Sequence, residues 1–403
     1  MSRVKVDKSM VHGEVAPGFE DVREEFTRNF TARGELGAAC CVYHQGEKVV
    51  DLWGGYRDHE KQLPWEEDTL VLVFSTTKGM AAMTVAFAHS RGWLDFDEKV
   101  ATYWPEFAQA GKDKVTVRQL LSHQAGLSAI DEPLTPEVLA DLDKVAAALA
   151  KQAPSCEPGT RQGYHGISLG FYEGELIRRV DPQRRSLGRF FAEEIAEPLG
   201  IEFYIGTPRE VSDARIAVIK DMVIAMMIFH LGDMPGRFSL AMLNPRSLSS
   251  RSFLNPKLKN PSDLGVPPLR YVEIPAANGI GQVRGVARAY SAFAMGGGEL
   301  GIGEETMRAL TQPAVKPSGG CHDQVLKLDT NFSLGYMKPF PDFEFGSSVR
   351  SFGTMGAGGS FGYADPDAKI GYAYAMNKMG YCIFDDPRDK AIRDALYGCL
   401  KRS

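Results

Sequence analysis

A junction between a short apolar run and a long apolar helix most constrains how this chain can fold. Residues 72–74 are Leu-Val-Phe, Ser75 and Lys78 follow, and the pattern at 80–88 predicts a buried helix. Positions i and i+3 share a helix face, so Lys78 is expected beside Ser75 at the start of this helix. An amine placed there can activate a serine hydroxyl, and the unpaired N–H groups of a helix start suit an oxyanion. The junction predicts a nucleophilic serine, with an ordinary N-cap serine as the alternative.

The composition is that of a globular protein, and it argues against two classes of partner. With 403 residues, one large composite domain or two domains are expected. Hydrophobic residues make up 44% and charged residues 24%, which are ordinary values. The net charge of −5 provides no basic surface for nucleic acid and no attraction to an anionic membrane.

Signals for targeting, metals and cofactors are weak. Residues 1–15 are charged and lack the apolar core of a signal peptide, and the apolar run at 222–229 is too short to span a bilayer. The glycines at 279–285 miss the dinucleotide-binding spacing by one residue, so no cofactor is expected. The six cysteines show no Cys-x-x-Cys pair, which predicts no metal site and a cytoplasmic protein with reduced thiols.

Strand signals concentrate in the first and last parts of the sequence. Residues 38–44 and 48–55 predict a hairpin, and strands are also predicted at 332–336 and 369–377. The middle of the chain is mostly helical. Helices are predicted at 17–35, 182–200, 283–295 and 387–400. A methionine-rich segment at 222–242 predicts a buried helix, with an acyl-group pocket or lid as the alternative.

Two segments after the Ser75 helix carry a family resemblance. Residues 92–100 match Gly-x-Leu-x-x-Asp-x-x-Val, and residues 120–127 read Leu-Leu-Ser-His-Gln-Ala-Gly-Leu. Together with the Ser-x-x-Lys spacing of Ser75, they resemble the class C β-lactamase-like serine hydrolases and, more narrowly, the family VIII carboxylesterases. The resemblance covers most of the chain, from about residue 20 to about residue 380.

The resemblance implies a fold of the α/β (α+β) class. An antiparallel sheet built from both termini would be flanked by helices, with a helical domain inserted. Residues 1–80 and 275–403 would then form the α/β domain, residues 81–274 the mostly helical domain, and the active site would lie between them. Assembly into a homo-oligomer stays open.

The second motif of the family begins with a tyrosine, which the resemblance places at Tyr164. The third position of that motif is Gly166, so the polar side chain that usually orients the lysine is missing. The base is Lys78, Tyr164 or both. Two such groups in contact titrate as a coupled pair, so the sequence does not say which of them holds the proton. His123 would belong to a structural turn of the family.

The third motif aligns with the glycine-rich stretch at 354–360. The resemblance makes the N–H of Ala357 the second oxyanion donor, beside that of Ser75. Gly356, Gly358 and Gly359 would bring backbone N–H groups close to the substrate. Thr354 replaces a cationic or aromatic residue that recognises the carboxylate of a β-lactam, so efficient β-lactamase activity is not expected.

A rival class is the α/β-hydrolases, whose nucleophile lies in Gly-x-Ser-x-Gly. Ser168 and Ser360 both match this pattern. No histidine follows Ser360, and no apolar strand precedes Ser168, so Ser168 is interpreted as a helix residue.

The resemblance implies a cofactor-free serine carboxylesterase that cleaves short to medium acyl esters of small molecules through an acyl-enzyme on Ser75. A β-lactamase or D-alanyl peptidase-like enzyme is an alternative. A second alternative is a non-turnover acyl-binding sensor or scaffold of the same fold, which Gly166 and Thr354 would favour.

Overall fold

The computed structural model describes residues 6–222 and 236–402. Its strands are β1 (Val11–Val15), β2 (Gly37–His44), β3 (Glu47–Asp58), β4 (Leu63–Pro64), β5 (Val71–Leu72), β6 (Phe203–Tyr204), β7 (Ile280–Gly281), β8 (Phe332–Ser333), β9 (Tyr336–Met337), β10 (Phe352–Met355), β11 (Phe361–Asp365) and β12 (Ile370–Met376).

The helices of these residues are α1 (Glu20–Thr31), α2 (Thr77–Ser90), α3 (Val100–Tyr103), α4 (Val117–Leu121), α5 (Pro136–Leu139), α6 (Leu142–Lys151), α7 (Ser168–Val180), α8 (Leu187–Phe191), α9 (Glu197–Leu199), α10 (Gly236–Met242), α11 (Leu248–Phe253), α12 (Val283–Ala294), α13 (Glu304–Thr311) and α14 (Pro387–Leu400). A π turn, Ala192–Ala196, joins α8 to α9. Most of the methionine-rich segment predicted at 222–242 lies outside the described residues.

The main sheet is antiparallel, with strand order β1-β3-β2-β12-β11-β10-β9-β8, and β4 pairs with β3. β2 and β12 are its central neighbours, paired from Ala38 opposite Met376 to His44 opposite Ile370. A second, small sheet has the order β5-β7-β6. The predicted antiparallel sheet with flanking helices is confirmed.

Each face of the main sheet is covered by its own apolar layer. Cys40 and Cys41, which follow one another in β2, are buried on opposite faces because strand side chains alternate. The Cys40 face packs against α1 and α14, through residues such as Phe26 and Ile392. The Cys41 face packs against α12 and the central helices, with Tyr290 fully buried. The sheet is therefore the middle layer of the fold.

Helix α2 is buried on all sides, since every residue from Thr77 to Ala88 is shielded from solvent. A helix that is apolar all round belongs in a core. The same core runs from Ala373 of the sheet to Leu176 of α7. The division into an α/β domain (1–80 and 275–403) and a helical domain (81–274) stays a prediction.

One predicted strand is wrong. Residues 332–336 form a hairpin, with β8 paired to β9 rather than one continuous strand. Leu334 and Gly335 have φ values of 51° and 86°. Two consecutive left-handed residues make a tight turn that reverses the chain.

Candidate active site

Ser75 lies in a single 3₁₀ turn, Phe74–Thr76, between β5 and α2. Phe74 has a φ of 49°, a left-handed conformation that is rare for a bulky side chain and is found at functional turns. The N–H of Val73 donates to the carbonyl of Gly279 at 3.0 Å, which fixes the approach to the turn. Phe74 and Thr76 are buried, whereas Ser75 is partly exposed. The turn therefore presents one hydroxyl to solvent.

Lys78 directs its amine at that hydroxyl. The distance from Lys78 Nζ to Ser75 Oγ is 3.0 Å, although the Lys78 residue is only 1% exposed. The amine also contacts the carbonyl oxygens of Gly166, at 2.6 Å, and Ala276, at 2.9 Å. A neutral amine has two N–H groups and one lone pair. When the two carbonyls accept both N–H groups, the lone pair faces Ser75, as a general base requires.

Burial sets the protonation state of this pair. It lowers the pKa of Lys78 from 10.5 to about 7, opposed by attraction to Glu173. Burial also raises the pKa of Tyr164 above its ordinary 10, and a hydrogen bond with Ser75 only partly offsets this rise. Near neutral pH the phenol keeps its proton while a large share of the lysine is neutral. These protonation states make Lys78 the better candidate for the base, a choice that the sequence left open.

Tyr164 lies directly beside the amine and the hydroxyl. The centre of its ring is 4.9 Å from Lys78 Nζ, and the Ser75 side chain is near enough to oppose the rise in the pKa of its phenol. The ring stacks on Phe332, with centroids 5.4 Å apart, and its centroid lies 4.9 Å from that of the His123 ring. The three predicted catalytic side chains, from distant parts of the sequence, thus meet at one place.

The orienting group expected at position 166 is supplied by the backbone. Gly166 has no polar side chain, but its carbonyl oxygen binds the Lys78 amine. A Cβ at position 166 would lie 2.8 Å from the Phe253 ring, so α11 packs too closely for a side chain. The hydroxyl of Ser252 accepts the Gly166 N–H and donates to Tyr164 O, both at 3.0 Å. Ser252 thus fixes the segment that carries two of the site's polar groups.

The glycine-rich loop between β10 and β11 packs against the turn Phe74–Thr76, which carries the predicted nucleophile Ser75 and is called the nucleophile turn below. A Cβ at Gly356 would lie 2.2 Å from Val73 O, so only glycine allows this approach. Gly358 and Gly359 have φ values of 85° and 113°, and a Cβ at either would meet the protein interior. Ala357 is exposed at the loop tip. The oxyanion role of Ala357 and substrate contacts through the backbone of Gly356, Gly358 and Gly359 remain proposals.

Thr354 faces the start of α2 and not the solvent. Its hydroxyl donates to Thr76 O and accepts the Gly79 N–H, both at 3.1 Å, and lies 3.1 Å from the Tyr290 hydroxyl. The residue is 5% exposed. The position therefore ties the sheet to the nucleophile helix and offers no charge to a substrate.

The rival residues occupy structural positions. Ser168 opens α7 and donates to Leu127 O at 2.7 Å, with no strand before it. His123 has a φ of 60°, and its Nδ1 accepts the His165 N–H at 3.0 Å, as expected of a buried turn residue. Two histidines follow Ser168 in the sequence, and the later one, His322, contacts Asp329 at the surface. The other, at position 230, lies outside the described residues.

Glu173 is a site neighbour that the sequence did not indicate. It is fully buried on α7, and neither carboxylate oxygen has a hydrogen-bond partner among the described residues. Burial raises its pKa, and attraction to Lys78 opposes the rise. The acid was missed because glutamates on an amphipathic helix are normally solvated. The sequence did hold one signal of its burial, since Glu173 falls at a position of α7 where the helical pattern predicts an apolar residue.

Neither a metal-binding cluster nor a membrane-spanning helix is present in residues 6–222 and 236–402. They contain no group of three or more His, Cys, Asp or Glu side chains placed to hold a metal ion. None of their helices has the length and apolar character needed to cross a membrane.

Comparisons with known proteins identify the family of the chain. The esterase/β-lactamase LipL of Mycobacterium tuberculosis is 33% identical over 377 residues, covering 92% of this chain and 83% of that protein. A crystal structure of a family VIII carboxylesterase is 38% identical with a TM-score of 0.81, covering 97% of this chain and all of that one. A penicillin-binding protein homologue from Caulobacter crescentus is 37% identical with a TM-score of 0.84, at the same coverage. The β-lactamase family model matches residues 24–397, and the chain therefore belongs to the β-lactamase family.

Proposed function

We propose that this protein is a serine carboxylesterase that cleaves short to medium acyl esters through an acyl-enzyme on Ser75. The observation that carries the proposal is the 3.0 Å contact between Lys78 Nζ and Ser75 Oγ, with two carbonyls orienting the amine. Several of the similar proteins bear esterase names, among them LipL and the family VIII carboxylesterase. Ester hydrolysis needs no group beyond those of the site and a water molecule.

In the acylation step, neutral Lys78 takes the proton of the Ser75 hydroxyl, and Oγ forms a bond to the ester carbonyl carbon. The carbonyl electron pair moves to its oxygen. When this pair returns, the bond to the alkoxide breaks, and the Tyr164 phenol supplies the proton that the leaving alcohol needs. The proton held by Lys78 then restores the phenol, so the alcohol leaves with the phenolic proton and the serine proton ends on Tyr164.

Two backbone N–H groups, of Ser75 and Ala357, are proposed to hold the tetrahedral oxyanion. Ser75 lies in the first turn of its helix, where N–H groups have no intrahelical acceptor. Ala357 is exposed at the tip of a loop that abuts the nucleophile turn. One such donor contributes about 3–4 kcal/mol in comparable enzymes.

In the deacylation step, Lys78 takes a proton from water, and the hydroxide attacks the acyl carbon. The tetrahedral intermediate collapses with loss of Ser75 Oγ, which regains the proton from the lysine. The enzyme returns to its starting state with the carboxylic acid as product.

The proposed substrate is an uncharged ester. Thr354 is neutral and turned toward α2, so it supplies no cation for a substrate carboxylate. The ring of Phe253 lies 6.1 Å from that of Tyr164 and gives this side of the site an apolar wall. Both features disfavour β-lactams. We also propose a cytoplasmic location, with which six scattered cysteines without a Cys-x-x-Cys pair are consistent.

Labelling with a fluorophosphonate, followed by intact-mass analysis and peptide mapping, tests this proposal. The expected result is one adduct on Ser75, with ester hydrolysis abolished in Ser75→Ala. Ser168→Ala is the matched control and should keep most of the activity, because its hydroxyl only donates to Leu127 O. An adduct on Ser168, or a burst of product without turnover, would refute the proposed esterase.

A further inference from the structure

Ser360 connects the two segments that carry the proposed oxyanion donors. Its hydroxyl donates to Val73 O, at 2.7 Å, immediately before the nucleophile turn. The same oxygen lies 3.0 Å from Thr76 Oγ1, immediately after Ser75. Its carbonyl accepts the Gly356 N–H at 2.7 Å, which closes the glycine loop. Ser360 is fully buried.

The contact between the two segments leaves no room for a larger link. A Cβ at Gly356 would lie 2.2 Å from Val73 O and 2.3 Å from Ser360 Oγ. The Ser360 hydroxyl therefore lies between a carbonyl of one segment and the backbone of the other. An interior packed at this density transmits small shifts instead of absorbing them.

The far side of the loop is held independently. The Gly358 carbonyl accepts hydrogen bonds from the Gly380 N–H, at 2.9 Å, and from Arg388 Nη2, at 2.8 Å. Arg388 is in turn held by the buried carboxylates of Glu35 and Asp386. With its rear edge anchored in this way, the loop is held toward the turn by Ser360, and the Thr354 hydroxyl adds a second link, from β10 to Thr76 O.

We propose that Ser360 is a positioning residue of the oxyanion hole. Its side chain fixes the separation of the Ser75 and Ala357 N–H groups and does not touch the substrate. This inference rests on the proposed function, and it gives a role to a serine that a Gly-x-Ser-x-Gly match would assign as a nucleophile.

Loss of this link should weaken the binding of the transition state more than the binding of the ester substrate. Oxyanion donors act on charge that exists only after attack, so their displacement lowers kcat and leaves KM nearly unchanged. Removing a whole donor costs about 10²- to 10³-fold in kcat. Loosening the spacing of two donors should cost less than that, about 10- to 100-fold.

The test compares wild type, Ser75→Ala, Ser360→Ala and Ser360→Cys on an uncharged chromogenic ester. It also measures inhibition by a trifluoromethyl ketone. Ser75 Oγ adds to the carbonyl carbon of this inhibitor, the carbonyl electron pair moves to oxygen, and the serine proton passes to Lys78. Ser360→Ala should lower kcat about 10- to 100-fold while KM stays within about threefold of the wild-type value. The affinity for the inhibitor should fall by a factor similar to the loss in kcat. Ser360→Cys keeps a weak donor and should fall between wild type and Ser360→Ala. If the alanine variant is insoluble, the cysteine variant decides.

Ser249→Ala is the matched control, because Ser249 is an equally buried serine that donates to a backbone carbonyl, Val325 O, at 2.5 Å. It should leave kcat and inhibitor affinity close to wild type. A Ser360 variant with wild-type kcat and inhibitor affinity, beside an inactive Ser75→Ala, would overturn the role of Ser360 alone. A wild-type protein without ester hydrolysis would overturn the proposed function and this inference with it.

Discussion

The ionisation of Lys78 should set the acidic limit of ester hydrolysis. Burial lowers the pKa of its amine from 10.5 to about 7, and the two oxygens that bind it are uncharged carbonyls. With a pKa of 10.5, roughly one molecule in 3,000 would carry the neutral base at pH 7, whereas with a pKa of about 7 half of the molecules do. The shift therefore gives the enzyme about three orders of magnitude more active base at neutral pH.

The assay is the pH dependence of kcat/KM for an uncharged ester between pH 5 and 9. The profile should bend near pH 7 and fall tenfold per unit below the bend, which gives a loss of about 100-fold at pH 5. Return of the acid-treated enzyme to pH 8 before a second assay separates titration from unfolding. Lys78→Arg, whose guanidinium stays protonated, should lose at least about 1,000-fold at pH 8.

Lys338 provides a matched control, because it is a second buried lysine whose pKa is lowered to about 7. Its amine donates to Leu310 O and Arg350 O, away from Ser75. Lys338→Met should leave the bend where it is. A wild-type rate that is flat down to pH 5.5, or a bend that disappears in Lys338→Met, would refute the assignment of the base.

Three further predictions concern the surroundings of the site. Ser252→Ala removes the hydroxyl that holds Gly166, so kcat/KM should fall about tenfold and urea unfolding should show a loss of about 1–3 kcal/mol. Burial raises the pKa of Glu173, so the folded state keeps a proton that the unfolded state loses above about pH 4.5. Glu173→Gln should therefore gain in stability over wild type as pH rises, by at most about 1.4 kcal/mol per unit, and a constant difference would contradict this. Burial lowers the pKa of His123, and that of His165 to about 3, so the unfolded state alone takes up protons below about pH 6.5. The free energy of unfolding should fall with pH below that value, by up to about 1.4 kcal/mol per unit for each histidine, which thermal melts between pH 7 and 4 can measure.

Local signals in the sequence were sufficient for the parts of the site that depend on short spacing. Ser75 and Lys78 are three residues apart at a helix start, so their contact follows from helix geometry alone. The predicted helix at 387–400 coincides with α14, because Asp386 caps it and Pro387 suits its first turn. The strand at β12 was equally clear from its alternation.

The remaining parts of the site depend on backbone atoms and on contacts between distant positions. Gly166 orients the lysine through its carbonyl, which every residue type carries, so its identity gave no sign of this role. Ser252, Ser360 and Arg388 meet these partners across 30 to 287 positions of sequence. No spacing rule within a single sequence joins such distant positions to the site.

The pairing of β2 with β12 has a consequence for how the molecule is made. The centre of the sheet joins a strand synthesised early to one synthesised late, so the ribosome must release both before the sheet can close. Until then α2 and its serine lack the layer on which they pack, and such long-range pairing forms slowly. A nascent chain stalled before residue 370 should therefore bind chaperones and hydrolyse nothing, so that activity switches on in one late step of biosynthesis.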